Sequence, residues 1–148
     1  MIKAFIQAAA IMAIALCAAM TTWWIVGPPE RSCDPSLIEK GQICLQSIPS
    51  DREIVWIDAR SRSEWERDGL PGSILWNMKA SEDANAMEAE AINRIFTTPY
   101  VVIYCNDEGC GTSKKIAKRI RDLDMGAEIY VLHGGWQALL NAGKIPQH

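Results

Sequence analysis

The chain has 148 residues and a formal net charge of −3 at pH 7, with no run of basic residues. The electrostatic footprint of a nucleic-acid-binding protein is therefore missing, and we exclude that class. Beyond any targeting segment, the length allows one domain of about 110–120 residues, which can bury a sizeable core without staples.

The first element is an apolar segment at the N-terminus. Residues 4–27 carry no charged side chain, and as a helix they would span roughly 36 Å, enough to cross a bilayer. Lys3 precedes the segment and acidic residues follow it, so the positive-inside rule places the domain on the extracytoplasmic, or periplasmic, side. Trp23 and Trp24 lie where an interfacial aromatic belt is expected. A signal peptide cleaved after Ala19 is the alternative, but the apolar run continues beyond that point and favours an anchor.

Export of the domain changes the interpretation of the five cysteines. Cys17 lies within the apolar segment, and we interpret it as a small hydrophobic residue. The other four would face an oxidising compartment, where three disulfide pairings are open to them. The simplest is a Cys33–Cys44 staple that leaves Cys105 and Cys110 for chemistry. Two unrelated free thiols at positions 33 and 44 are the alternative.

The predicted domain covers residues 30–148 and follows an anchor and linker at 1–29. Its first element is DPSLIEKGQ, in which Asp34 is a candidate N-cap and Pro35 occupies the first helical position, so we predict a short helix. The mostly apolar run EIVWIDA, residues 53–59, predicts a buried strand. SRSEWERDG then predicts a capped helical turn, and LPGSILWNM predicts a Pro-Gly turn followed by a short strand.

The second half of the domain continues this alternation. SEDANAMEAEAINRIF is rich in helix formers, with Met87, Ala91 and Ile95 on one face, and YVVIY predicts a buried strand. Residues 112–125 predict an amphipathic helix that ends at Gly126. Its apolar face comprises Ile116, Ile120 and Leu123. EIYVL predicts a strand and GGWQALLNAG a turn with a short helix, so the pattern favours an α/β domain with a mostly parallel sheet covered on both faces.

Three residues whose side chains can take part in catalysis end or follow predicted strands. They are Asp58, Cys105 and His133, and in a parallel sheet they should share the carboxyl edge, where ligands bind. Cys105 also precedes a helix, whose dipole and unpaired N–H groups favour the thiolate. Gly109 and Gly111 allow the loop to curl into an anion nest. The predicted substrate loop comprises Asn106, Asp107, Glu108, Gly109, Gly111, Thr112 and Ser113.

Two stretches resemble the signatures of rhodanese-like domains. The first is VWIDARSRSEWERDGLPGSILWN, with an Ile-Asp-x-Arg strand end, an aromatic-acid helix and a turn like Gly-His-Ile-Pro-Gly-Ala. The second is VVIYCNDEGCGTSKKIAKRIRDLDMGAEIYVLHGGWQALLNAGKIP, with the cysteine loop, its helix, a strand, Gly-Gly and a tryptophan. Together they cover about residues 53–146. The resemblance implies a five-stranded parallel α/β fold and transfer of a sulfane sulfur through a persulfide on Cys105.

The cysteine loop departs from the family pattern. The family loop reads Cys-x-x-Gly-x-Arg-Ser, whereas here Ser113 follows Cys105 by eight positions and Cys110 occupies the place of the arginine. The turn reads Asp68-Gly69-Leu70-Pro71-Gly72-Ser73, so the histidine is missing. The arginine guanidinium binds oxyanions through two parallel hydrogen bonds. Because this arginine is missing, the case for thiosulfate as substrate is weaker, and a phosphatase is disfavoured.

The second thiol of the loop predicts a resolving role. Cys110 would attack a persulfide on Cys105, release sulfide and leave a Cys105–Cys110 disulfide. Resolution of a sulfenic acid and cycling as a dithiol with another exported protein are alternatives, as is a structural disulfide that closes the loop.

Supporting roles are expected for three residues. Asp58 and Arg60 match the family's structural Asp-x-Arg, so we expect Asp58 to tie the loop and strand ends together. For Arg60 we expect a surface salt bridge, with a position at the pocket mouth as the alternative. His133 is either an exposed turn histidine or a group that tunes the thiolate. A zinc site that uses Cys105, Cys110 and His133 would lack a fourth ligand, so no metal and no cofactor are predicted.

The resulting hypothesis is an exported rhodanese-like sulfurtransferase in which Cys105 and Cys110 are catalytic. A thiol–disulfide redox protein that uses the same pair and a non-catalytic binding module are the alternatives. The expected partners are a small sulfur-containing substrate or a thiol protein, and the membrane through residues 4–27.

Overall fold

The computed structural model describes residues 7, 11–18, 20–21, 33–106 and 111–145. The chain divides into two compact units, Met1–Ser32 and Cys33–His148. The described residues of the first unit are helical. Much of the predicted anchor at 4–27 lies outside the described residues, and within the described part of the chain no helix is both long and apolar enough to span a bilayer.

The second unit is built on one five-stranded parallel sheet in the order β1-β5-β4-β2-β3. The strands are β1 (Gln42–Ile43), β2 (Val55–Asp58), β3 (Ile74–Leu75), β4 (Tyr100–Tyr104) and β5 (Glu128–Leu132). All five residues of the central strand β4 are buried, as expected for a run of β-branched and aromatic residues covered on both faces. The prediction of a parallel α/β sheet is confirmed, whereas the edge strand β1 was not predicted from the sequence.

In the described part of the second unit, four α-helices connect or follow the strands. They are α1 (Arg62–Asp68), α2 (Ala84–Thr97), α3 (Gly111–Asp122) and α4 (Gly135–Asn141), and a 3-10 helix covers Leu45–Ser47. A capping box between Ser61 and Glu64 starts α1. The Asp83 side chain accepts a hydrogen bond from the Ala86 N–H at 3.0 Å and starts α2. These local signals explain why the predicted helices form where they do.

The two faces of the sheet carry separate apolar clusters. On one face α2 and α3 pack their buried residues against the inward side chains of the strands. These helical residues are Met87, Ala91, Ile95, Ile116, Ala117 and Ile120. On the other face Leu139 of α4 and Ile145 pack against Tyr100, Val102 and Tyr104. The prediction of a sheet covered on both faces is therefore confirmed.

The end of α3 differs from its prediction. The helix stops at Asp122, and Asp124 has a φ of 48°, so the chain has already left the helical path before Gly126. Leu123 is consequently 45% exposed and does not continue the apolar face.

The short helix predicted at residues 34–42 is wrong. The Asp34 carboxylate accepts hydrogen bonds from the Ser36 N–H at 2.9 Å and the Ser36 hydroxyl at 2.7 Å, and the Leu37 N–H bonds to the Asp34 carbonyl. These local bonds form a turn that competes with helix propagation. The end of the segment pairs with β5 as the strand β1.

The Cys33–Cys44 disulfide is present and joins the start of the domain to the end of β1, with 5.6 Å between the Cα atoms. Cys44 is fully buried. We expect Cys33→Ser to lower the free energy of unfolding by about 2–3 kcal/mol, because the bridge closes a loop of 11 positions in the unfolded chain. Urea titration of the full chain without reductant measures this change. The control is Cys17→Ser at an exposed free cysteine, which should leave the unfolding midpoint in place.

Candidate active site

The three residues that were predicted to share the carboxyl edge of the sheet do lie there. β2 ends at Asp58, and Cys105 and His133 directly follow β4 and β5. β4 lies between β2 and β5 and runs parallel to both, so these strand ends share one edge. This edge is where α/β sheets bind ligands.

Cys105 is held tightly at this edge. Its side chain is 2% exposed, and its sulfur forms a disulfide. The Cys105 carbonyl accepts a hydrogen bond of 2.6 Å from the Trp136 N–H, which fixes the residue against the start of α4. The hydroxyl of Ser113 lies 3.8 Å from the Cys105 sulfur. The predicted resolving residue, Cys110, and the loop residues 107–109 lie outside the described residues.

The helix α3 presents its N-terminal turn next to Cys105. It begins at Gly111, with Thr112 half-buried and Ser113 buried. Its 12 residues give the N-terminus a partial positive charge that favours a thiolate or a persulfide anion nearby. Lys114 is directed to the Glu39 carboxylate, at 2.6 Å, so this cation is engaged in a surface ion pair.

A carboxylate from α1 also reaches the residue next to Cys105. The Asn106 side-chain amide donates to Glu64 Oε1 at 2.9 Å, while Glu64 Oε2 accepts from the Ser61 N–H at 3.0 Å and from the Ser61 hydroxyl. The Ser61 hydroxyl lowers the pKa of Glu64 to about 2, against the opposing effect of burial, and Asn106 contributes further. Glu64 is therefore an anion at neutral pH. Nothing in the sequence links Glu64 to Asn106, which is 42 positions away.

Asp58 and Arg60 form a buried ion pair. Arg60 donates to both Asp58 oxygens at 2.9–3.2 Å, and the two side chains are 0% and 1% exposed. The expectation of a surface salt bridge for Arg60 is wrong, because a second carboxylate and two aromatic rings enclose the guanidinium. That second carboxylate, Asp68, accepts from Arg60 at 2.8 Å. Burial raises the pKa of Asp68, but hydrogen bonds from Arg67 and Arg60 outweigh it and lower the pKa.

The two rings around Arg60 connect it to the Cys105 loop. The guanidinium carbon lies 5.7 Å from the centre of the Tyr104 ring and 5.2 Å from that of Trp136. The Trp136 indole N–H donates to the Asp68 carbonyl at 3.1 Å. Asp68, Tyr104 and Trp136 were not predicted as site residues, although the tryptophan after Gly-Gly is part of the pattern that the resemblance rests on.

The Pro-Gly turn before β3 is tied to the central strand. The Tyr104 hydroxyl accepts from the Leu70 N–H at 2.9 Å and donates to the Ser73 hydroxyl at 3.3 Å. Burial raises the pKa of Tyr104 far above its ordinary value, so the hydroxyl remains protonated. Leu70 thus anchors the turn through its backbone, one position after Gly69, which stands where the family pattern has histidine.

His133 links the edge to β1. Its Nδ1 lies 3.3 Å from the Gln42 side-chain oxygen, and its backbone N–H donates to the Ile43 carbonyl at 2.9 Å. The residue is half-buried. The geometry gives His133 a structural contact to the edge strand, and a role in tuning a thiolate stays a prediction.

The fold and this edge define a parallel α/β domain with a buried cysteine between its central strand and the following helix. Residues 43–142 match the family model of the Rhodanese-like domain. The match spans more than half of the chain, and the chain belongs to the rhodanese-like domain family.

Comparison with individual proteins adds less. No curated protein is significantly similar to the chain. The chain is similar in structure to the N-terminal domain of a protein from Clostridium difficile 630 named for ATP/GTP binding, with 18% identity and a TM-score of 0.47 over 69% of this chain and 98% of that one. It is also similar to the BH2092 protein from Bacillus halodurans, with 19% identity and a TM-score of 0.44 over 60% of each chain. Neither match bears on the activity of this chain.

Proposed function

We propose that this rhodanese-like domain transfers sulfane sulfur through a persulfide on Cys105, with Cys110 as the resolving thiol. The observation that carries the proposal is the position of Cys105, which lies directly beyond the central strand and before the N-terminus of α3. A nucleophilic sulfur placed there gains from the helix dipole and from nearby hydrogen-bond donors, of which the Ser113 hydroxyl is one.

The proposed chemistry balances without a cofactor. The Cys105 thiolate attacks the outer sulfur of a persulfide donor, forms a new S–S bond, and expels the donor thiolate. A thiolate acceptor then takes the outer sulfur and regenerates Cys105. Alternatively, the Cys110 thiolate attacks the Cys105 sulfur, expels hydrosulfide, and leaves a Cys105–Cys110 disulfide that an external dithiol must reduce.

A thiol–disulfide redox function is the second candidate, and one observation favours it. Cys105 is already disulfide-bonded in the structure. Such a protein would exchange its disulfide with a dithiol partner and would carry no sulfane sulfur. A bond that resists reduction would instead fit a non-catalytic binding module.

The proposed location is the extracytoplasmic face of a membrane, with residues 4–27 as the anchor. The Cys33–Cys44 disulfide supports this proposal because such bonds persist in oxidising compartments. The partners would then be a small sulfur compound or an exported thiol protein.

Sulfur loading tests the proposed function. The reduced full chain is treated with a low-molecular-weight persulfide and its intact mass is measured, for the wild type and for Cys110→Ser side by side. We expect one added sulfur at Cys105 of Cys110→Ser, and released sulfide with a new disulfide in the wild type. Cys105→Ser is the control and should gain no sulfur in the loop. If neither the wild type nor Cys110→Ser takes up sulfur while the pair reoxidises readily, the redox function replaces the sulfurtransferase.

A further inference from the structure

The hydrogen bond between Glu64 and Asn106 places an anion beside the Cys105 loop. Asn106 is the next residue after Cys105, and its amide donates to Glu64 Oε1 at 2.9 Å. The other carboxylate oxygen is held by Ser61 at the start of α1. The carboxylate is thus fixed in position by a helix cap on one side and by the loop on the other.

The charge of this carboxylate is constant, and within the described part of the chain no direct ion pair cancels it. The Ser61 hydroxyl lowers the pKa of Glu64 to about 2, so it stays ionised from weakly acidic to alkaline pH. Within the described residues, the groups that donate hydrogen bonds to it belong to Ser61 and Asn106, which are uncharged.

Cations on neighbouring elements are largely engaged elsewhere. Arg60 helps to keep Glu64 ionised, but its guanidinium is 1% exposed and is enclosed by Asp58 and Asp68. Lys114, in the first turn of α3, pairs with Glu39. Neither cation is placed to receive an anionic substrate.

Lys115 is a further cation in the first turn of α3, where it is exposed to solvent. It is the residue that would favour an anionic substrate, in opposition to Glu64.

We infer that Glu64 selects the charge of the sulfur substrate, so that Cys105 reacts with cationic and neutral disulfides or persulfides and disfavours anionic ones. The inference rests on the proposed role of Cys105 as the reacting thiol. An anionic substrate that approaches Cys105 brings its charge toward a carboxylate that is fixed to the next residue of the loop, whereas a cationic one is attracted to it. Glu64 touches the loop and not the reacting atoms, so it acts as a specificity-determining and positioning residue.

A charge series of three small disulfides tests the inference. The full chain with Cys110→Ser leaves Cys105 as a thiol, and it is treated with cystamine, bis(2-hydroxyethyl) disulfide or 3,3′-dithiodipropionate. In each case the Cys105 thiolate attacks one sulfur, forms a mixed disulfide and releases one thiolate, so no further oxidant is needed. Mass spectrometry of the Cys105 peptide gives the rate. Division by the rate for N-acetylcysteinamide, a small neutral thiol, removes the intrinsic reactivity of each disulfide.

The expected order of normalised rates is cationic, neutral, anionic. Adding Glu64→Gln should reduce the ratio of cationic to anionic rates about fivefold, roughly the factor that corresponds to two unit charges about 4 Å apart in bulk water. Glutamine still supports the capping box, so α1 should form. The matched control is Glu66→Gln, an exposed residue of the same helix, which changes net charge equally and should leave the ratio unchanged.

Three outcomes would overturn the inference: equal normalised rates, a fastest anionic reagent, which would point to Lys115, or a Cys105 that reacts with none of the reagents. If Glu64→Gln unfolds at a lower temperature, the protein that keeps Glu64 still provides a test. Added salt must then reduce its ratio of cationic to anionic rates. Failure of the proposed sulfurtransferase function would give a different result from failure of this inference. Cys105 would then keep the charge order with disulfides but take no sulfane sulfur from a persulfide.

Discussion

Replacement of Arg60 by methionine is expected to lower the free energy of unfolding by about 3–5 kcal/mol, because it strands a buried carboxylate without its cation. Asp58 is 0% exposed, and Arg60 donates to both of its oxygens. A loss of this size is a large part of the roughly 5–15 kcal/mol that stabilises an ordinary domain. Urea unfolding of the full chain, followed by circular dichroism, measures it.

Two companion variants make the Arg60 result specific. Arg67 bonds to the same Asp68 at 2.8 Å but is 62% exposed, so Arg67→Ala should cost less than about 1 kcal/mol. The double variant Asp58→Leu with Arg60→Met removes both charges and should be more stable than Arg60→Met alone. If Arg60→Met costs no more than Arg67→Ala, the buried pair does not stabilise the edge in this way.

The consequences of this change reach the candidate site through Trp136. The Trp136 ring covers the Arg60 guanidinium, its indole N–H bonds to Asp68, and its backbone N–H bonds to the Cys105 carbonyl. Loss of the guanidinium removes the group against which the Trp136 ring packs. Cys105 is therefore held at the edge partly by a cation that does not touch it.

The strands and helices that could be predicted have strong local signals. YVVIY is apolar throughout and forms the central strand, and the spacing of Met87, Ala91 and Ile95 gives the buried face of α2. β1 has no such signal, because it is two residues long and becomes a strand by pairing with β5. The false helix at residues 34–42 arose from Asp34, which caps a turn through the same side-chain chemistry that caps helices.

The candidate site was predictable only to the level of the strand ends. Alternating strands and helices place Asp58 and Cys105 at one edge without knowledge of any side-chain contact. The burial of Arg60 depends on Trp136, which is far away along the chain and arrives with α4. The contact of Glu64 with the Cys105 loop likewise joins two elements that pair only in the folded protein. Partners of this kind are set by tertiary packing, which one sequence does not encode in a local pattern.

The backbone at Gly135 supports the second large prediction. Its φ is 51°, and a Cβ atom built at this position would overlap the carbonyl oxygen of Cys105. Gly135→Ala therefore combines left-handed backbone strain with a collision against main-chain atoms that cannot rotate away. We expect it to lower the free energy of unfolding by about 2–4 kcal/mol, measured by urea titration of the full chain.

Gly143 provides the matched control for that collision. It has a similar φ of 64°, but a Cβ there would meet no atom within 4 Å, so Gly143→Ala should cost only the backbone term of about 1–2 kcal/mol. The difference between the two variants measures how closely α4 approaches Cys105. Relief of the overlap must also lengthen the 2.6 Å bond between the Trp136 N–H and the Cys105 carbonyl, so Gly135→Ala should change the rate of sulfur loading at Cys105 and Gly143→Ala should not. Equal costs and equal rates would show that the chain can move aside without strain. The start of α4 would then have no part in positioning the cysteine.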